Sequence, residues 1–145
     1  MRYVTIGTKA EFKLFNLRLP DGSPVSDSPE PVWMSPEFAT SMLFQIFDKA
    51  HITDVDQAAL LGIPAETLKD YRGQESIPHD RLVLDRIEAF LRCYILLKVL
   101  YVRDYELIYQ WLTAENTAVP PNPIEHMKRF GIGAVRDYLE GVLCR

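Results

Sequence analysis

Between Asp80 and Val102 the chain carries Leu84, Ile87, Leu91 and Tyr94 on one helical stripe, and Phe90, Leu97 and Leu100 off it. A helix over this stretch is apolar nearly all round, and such a helix sits at the centre of a fold, covered by neighbouring elements or by a second subunit. Its girth points toward a homodimer. It is not a membrane span: Arg92 and Lys98 interrupt the run, which falls short of the roughly 20 apolar residues a spanning helix needs.

The flanking segments also read as helices. Ser35-Pro36-Glu37-Phe38 places a hydroxyl cap before proline at the first helical position, and Met42, Leu43, Ile46 and Phe47 follow on one face. Asp54–Leu61 is a short helix with Asp54 as its expected cap. Pro64-Ala65-Glu66-Thr67-Leu68 opens another, which Gly73 and Pro78 close. After the long helix come Asp104–Thr113, a rigid loop at Pro120-Pro121-Asn122-Pro123, and two helices at about Ile124–Phe130 and Ile132–Leu143.

Residues 1–34 differ. Phe12, Leu14, Phe15, Leu17 and Leu19 are dense in strand formers, Asp21-Gly22 is a turn signal, and Pro20, Pro24, Pro29 and Pro31 forbid a helix up to about Trp33. The reading is an arm with a short strand followed by an extended linker; a poorly ordered extension is the alternative. The expected fold is therefore all-α, in three parts: arm 1–34, a helix-turn-helix region 35–79, and 80–145 with the long helix and a small helical C-terminal half.

Charge narrows the function. The 16 Lys and Arg against 20 Asp and Glu leave a net −4, which excludes a bulk polyanion binder, since nonspecific affinity for phosphate needs many cations. Cys93 and Cys144 have neither CxxC nor Cys/His ligand spacing, so no disulfide framework and no metal site are expected. The start Met1-Arg2-Tyr3-Val4-Thr5 lacks a basic and then apolar leader. A cytoplasmic protein is the expectation.

Asp54–Arg72 fits a helix-turn-helix template: Ala58 where two helices cross, Gly62 at the turn, Ile63 after it, and Leu61, Leu68 and Tyr71 as joining contacts. A generic helical corner meets the same needs. The outward face of the second helix, with its flank, carries Ala65, Glu66, Lys69, Asp70, Arg72, Gln74 and Arg81, the candidate DNA-binding set. Glu66 and Asp70 oppose the phosphate field, whereas Lys69 and Arg72 favour it. Operator binding and a scaffold that no longer reads DNA both remain open.

Farther on come Trp111-Leu112, Asn116, Pro123, Gly131, Val135 and Tyr138-Leu139. Each has a local reason: large anchors for a small core, Asn as a helix terminator in the left-handed region, Pro for a first turn, Gly for a break. Together with the preceding template, this order resembles the Xre/MbcA/ParS-type antitoxins over about Ser35–Arg145. Ala118-Val119-Pro120-Pro121 replaces the Gly-rich loop common in that family, and residues 1–35 have no counterpart in it.

The resemblance implies a non-enzymatic type II antitoxin. Its partner would be a cognate toxin of RES-like or ADP-ribosyltransferase-like, NAD-using type, and operator DNA would be bound through the helix-turn-helix. It also implies a toxin-binding tail, Gly141, Val142, Leu143, Cys144 and Arg145, with Arg136 and Arg129 as further contacts. A frayed terminus is the alternative for the tail. Two other function classes stand beside this one: a stand-alone transcriptional regulator and a dimerising adaptor. An enzyme is not expected: His51, His79 and His126 are scattered, no GxSxG or phosphate-cradling loop occurs, and Glu106, Glu115 and Glu125 read as solvated carboxylates. No cofactor is expected either.

Overall fold

The computed structural model describes residues 4–19, 21–100 and 105–144. Pro20, Val102, Asp104 and Arg145, together with the side chain of Tyr105, lie outside the described residues. Within them the order is β1 (Val4–Thr8), α1 (Lys9–Leu14), β2 (Pro31–Met34), α2 (Pro36–Lys49), α3 (Asp54–Leu61), α4 (Ala65–Arg72), α5 (Arg81–Leu100), α6 (Tyr105–Thr113), α7 (Pro123–Phe130) and α8 (Ile132–Leu143). The architecture is mostly helical with a small antiparallel sheet of β1 and β2. None of the described helices is long and apolar enough to cross a membrane.

α5 is the central helix that its composition demands. Asp80 starts it, its Oδ1 accepting from the Leu82 amide at 2.8 Å. Ile87, Leu91 and Leu96 are fully buried, and Phe90 and Leu97 on the other sides nearly so. The covers come from the same chain: α8, β1, α2 and α3 all pack on α5. The apolar girth therefore needs no second subunit to enclose it.

The N-terminal region departs most from expectation. One short strand in an arm is the expectation; two strands are present, at Val4–Thr8 and Pro31–Met34, and neither lies in the apolar run from Phe12 to Leu19. Val4 and Ile6 alternate inward with Val32 and Met34, all 5 % exposed or less, and Val4 pairs with Met34 and Thr5 with Trp33. The run that looked strand-like begins as a helix because Thr8 and Glu11 form a reciprocal capping box: Thr8 Oγ1 accepts from the Glu11 amide at 3.1 Å, and Glu11 Oε1 from the Thr8 amide at 3.0 Å. Phe12 points into the core. The turn at Asp21-Gly22 forms as read, with Gly22 at φ 76°.

Arg92 of α5 fastens this region to the far end of the chain. Its guanidinium donates to the Ile6 carbonyl (2.8 Å), Glu11 Oε2 (2.6 Å) and Glu140 Oε1 on α8 (2.6 Å). The side chain is only 12 % exposed. Burial alone would lower its pKa, but the bonds to Glu140 and Glu11 raise it. Burial would raise Glu11, yet the bonds from Arg92 and from the Thr8 amide hold its carboxyl below the usual range.

Candidate functional site

α3 and α4 form a tight corner. Thr53, not Asp54, caps α3, its hydroxyl accepting from the Asp56 amide at 3.2 Å; Asp54 is the first helical residue, where its charge favours the helix N-terminus. Gly62 takes φ 67°, and the Ile63 amide returns to the Ala58 carbonyl at 3.1 Å. Leu60, Leu61 and Leu68 are buried between the two helices and α5.

The outward face of α4 is only partly what its sequence suggested. Ala65, Glu66, Lys69, Gln74 and Arg81 are exposed, and Asp70 is half-buried. Arg72 turns back onto α2. It donates to both carboxylate oxygens of Asp48 at 3.0 Å and to Gln57 Oε1 at 2.6 Å, and it stacks over the Phe44 ring at 4.5 Å. Gln57, 1 % exposed, completes the knot by donating to the Ile52 carbonyl at 2.7 Å. Arg81 is paired with Asp85 at 3.1 Å. Lys69 and Gln74 thus retain the free donors of the candidate set, in a stretch (35–80) that holds three Lys and Arg against eight Asp and Glu.

A groove of about 430 Å³ separates α2 from α4 and the segment after it, lined by Glu37, Thr40, Phe44, Asp48, Tyr71 and Arg72 among others. Burial, helped by the nearby Asp80 carboxylate, pushes the Tyr71 hydroxyl up from its ordinary pKa. Of the lining residues, Asp48 and Arg72 are engaged with each other, and the Thr40 hydroxyl donates to the Pro36 carbonyl at 2.7 Å.

The C-terminal segment is built around α8. Ile132, Val135 and Leu139 are buried against α5, and Glu140 is clamped by Arg92. The helix continues through Leu143, with Gly141 and Cys144 exposed and Val142 and Leu143 half-buried. The candidate tail from Gly141 to Cys144 is therefore the last turn of α8 and its cap, and Arg145 lies outside the described residues. Arg136 lies about 10 Å up the same helix from Leu143, at 1.5 Å per residue, and Arg129 sits on α7. Arg136 and Leu143, seven residues apart, share one face of α8, whereas Arg129 stands on a different helix.

The loop before α7 corrects one role. Asn116 is absent from the left-handed residues, which are Asn16, His51 and Gln74 among the non-glycines. Its side chain instead organises the loop, Oδ1 accepting from the amides of Ala118 (2.8 Å) and Val119 (3.1 Å). Pro123 does occupy the first turn of α7, capped by Asn122, and Gly131 at φ 96° breaks the chain before α8. Trp111 is half-buried and Leu112 fully buried, as core anchors.

Of the histidines, His51 lies 3.5 Å from Glu106, and His126 Nδ1 donates to the Pro120 carbonyl at 2.9 Å. Burial pushes the Cys93 thiol far up, out of reactive range. Among the described residues no group of three or more His, Cys, Asp or Glu side chains is placed to hold a metal ion. Sequence reasoning missed Arg92, Arg86 and Lys128, each of which has a partner 25 or more residues away; an arginine inside an apolar helix was the available signal for the first. The chain matches no family model, no curated protein and no solved structure.

Proposed function

We propose that this chain is the antitoxin of a type II toxin–antitoxin pair, a non-catalytic protein that silences an NAD-using toxin of RES-like or ADP-ribosyltransferase-like type. The family resemblance of Ser35–Arg145 motivates the reading, and one structural observation carries it: the last turn of α8 presents Gly141 and Cys144 to solvent while Glu140 directly before it is held by Arg92. A terminal turn on a clamped helix enters a partner's cleft with little ordering cost, because its conformation is already set. Gly141 leaves that turn slim on one side, with nothing within 4 Å of where its Cβ would stand.

Operator binding through α4 is the second reading. The corner geometry, with Gly62 left-handed between two eight-residue helices, favours it. The withdrawal of Arg72 onto Asp48 and the acidic surroundings oppose it.

Co-expression with the product of the neighbouring gene, as the candidate toxin, tests the proposal. Removing residues 141–145 cuts after Glu140 and so leaves the Arg92 clamp and Leu139 in place. The truncated chain is expected to keep its helical circular-dichroism spectrum and cooperative melt but to lose the ability to relieve growth arrest. A truncated chain that still neutralises the toxin overturns the reading.

A further inference from the structure

A cavity of about 390 Å³ lies where α3, α5, α7 and α8 meet, within the size range of small-molecule pockets. Leu60, Ala89 and Met127 give it an apolar floor, and exposed Leu82 stands at its rim. Four charged side chains face it: Asp85, Arg86, Lys128 and Arg136. Asp85 is neutralised by Arg81, and Lys128 by Asp56 and Glu125; the hydrogen bond to Asp56 raises the Lys128 pKa.

The two arginines are different. Arg86 is half-buried, and its one hydrogen bond among the described residues goes to the Leu61 carbonyl at 2.9 Å, at the end of α3. No carboxylate of the described residues pairs with it. Arg136 meets only its chain neighbour Asp137, which is 73 % exposed. Missing side chains make room for both: a Cβ on Gly62 would strike Arg86, and one on Gly133 would lie 3.3 Å from Arg136 Nη2. Arg86, partly desolvated and without a counter-anion among the described residues, is the costly one, so its charge favours an anion arriving from outside, and Arg136 joins it by exchanging its exposed neighbour Asp137 for that anion.

We propose that this cavity binds a small phosphate monoester, with the phosphate taken by Arg86 and Arg136 and the organic body resting on Leu60, Ala89 and Met127. A phosphate dianion matches two guanidinium forks in charge and in donor geometry, which a carboxylate monoanion does only by half. The site lies away from the last turn of α8 and needs no toxin, although it shares Arg136 with the toxin contacts that the resemblance implies.

Calorimetric titration of the full chain with phenyl phosphate tests it, with inorganic phosphate, phenylacetate and phenol as the separated parts. Saturable binding of phenyl phosphate is expected, weaker binding of inorganic phosphate and phenylacetate, and none of phenol. Arg136→Gln and Arg86→Lys should each weaken phenyl phosphate about tenfold, the scale of one charge-assisted hydrogen bond. Their thermal melts should match the parent, since Arg136 lies near the surface and a lysine keeps a donor for the Leu61 carbonyl. The proposal is overturned by absent saturation with phenyl phosphate, by phenol or phenylacetate binding as tightly, or by unchanged affinity in both variants.

Discussion

Arg92 shows how one residue can link three parts of a chain. A guanidinium that is mostly buried survives only if each side of its fork meets an acceptor, and here Glu11, Glu140 and the Ile6 carbonyl do so. Arg92→Met keeps the apolar stem but leaves two carboxylates facing an apolar surface. Because those carboxylates are themselves about a third exposed, solvent screens part of the loss. The expected destabilisation is about 2 kcal/mol, read from urea unfolding.

Glu11 adds a pH dependence of defined sign. Its folded pKa lies below the ordinary glutamate value because Arg92 and the Thr8 amide hold the carboxylate, so the unfolded chain takes up the proton more readily. The stability it contributes is complete above the unfolded pKa and is lost as pH falls through the folded one. Glu11→Gln should lower the urea midpoint at neutral pH and flatten its decline on the acid side. An acid decline as steep as that of the parent would show that other carboxylates control it.

At the scale of elements, the first 34 residues are part of the core. Val4, Ile6, Phe12, Leu19, Val32 and Met34 are all 6 % exposed or less, and β1 packs on α5. Full burial of one such side chain stabilises by about 1.5–3 kcal/mol, and six together rival the roughly 5–15 kcal/mol net stability of a domain. A chain beginning at Ser35 is therefore expected to lose its cooperative thermal transition, followed by circular dichroism. A transition near that of the full chain would make the region a dispensable arm after all. The alternation Val4-Thr5-Ile6 was the visible strand signal, overshadowed by the denser apolar run from Phe12 onward. That run became helical because Thr8 and Glu11 cap it, a pattern that a count of strand formers does not weigh.

For the molecule as a whole, the distribution of charge matters more than its sum. Residues 35–80 hold five more acids than bases, so the surplus of four over the entire chain is concentrated around the α3–α4 corner. Duplex DNA presents a dense negative field, and affinity for it grows with the number of phosphates neutralised. The isolated chain is accordingly expected to give no gel shift on its own promoter at about 150 mM salt. A specific shift under those conditions would favour operator binding and make Lys69 and Gln74 the first residues to substitute.

Helix positions were legible because they rest on local physics. Hydroxyl and asparagine caps, prolines in first turns, glycines at breaks and the 3.6-residue period act within a few residues of each other. Ser35, Pro123 and Gly131 did what their local chemistry requires. What the tertiary structure alone decided is where long polar side chains go. The retreat of Arg72 onto Asp48, the threefold grip of Arg92 and the bond of Arg86 to the Leu61 carbonyl each depend on groups 24 to 86 positions away. An arginine's reach and several donors let it choose partners across the fold, so its role is set only once the backbone has brought those partners together.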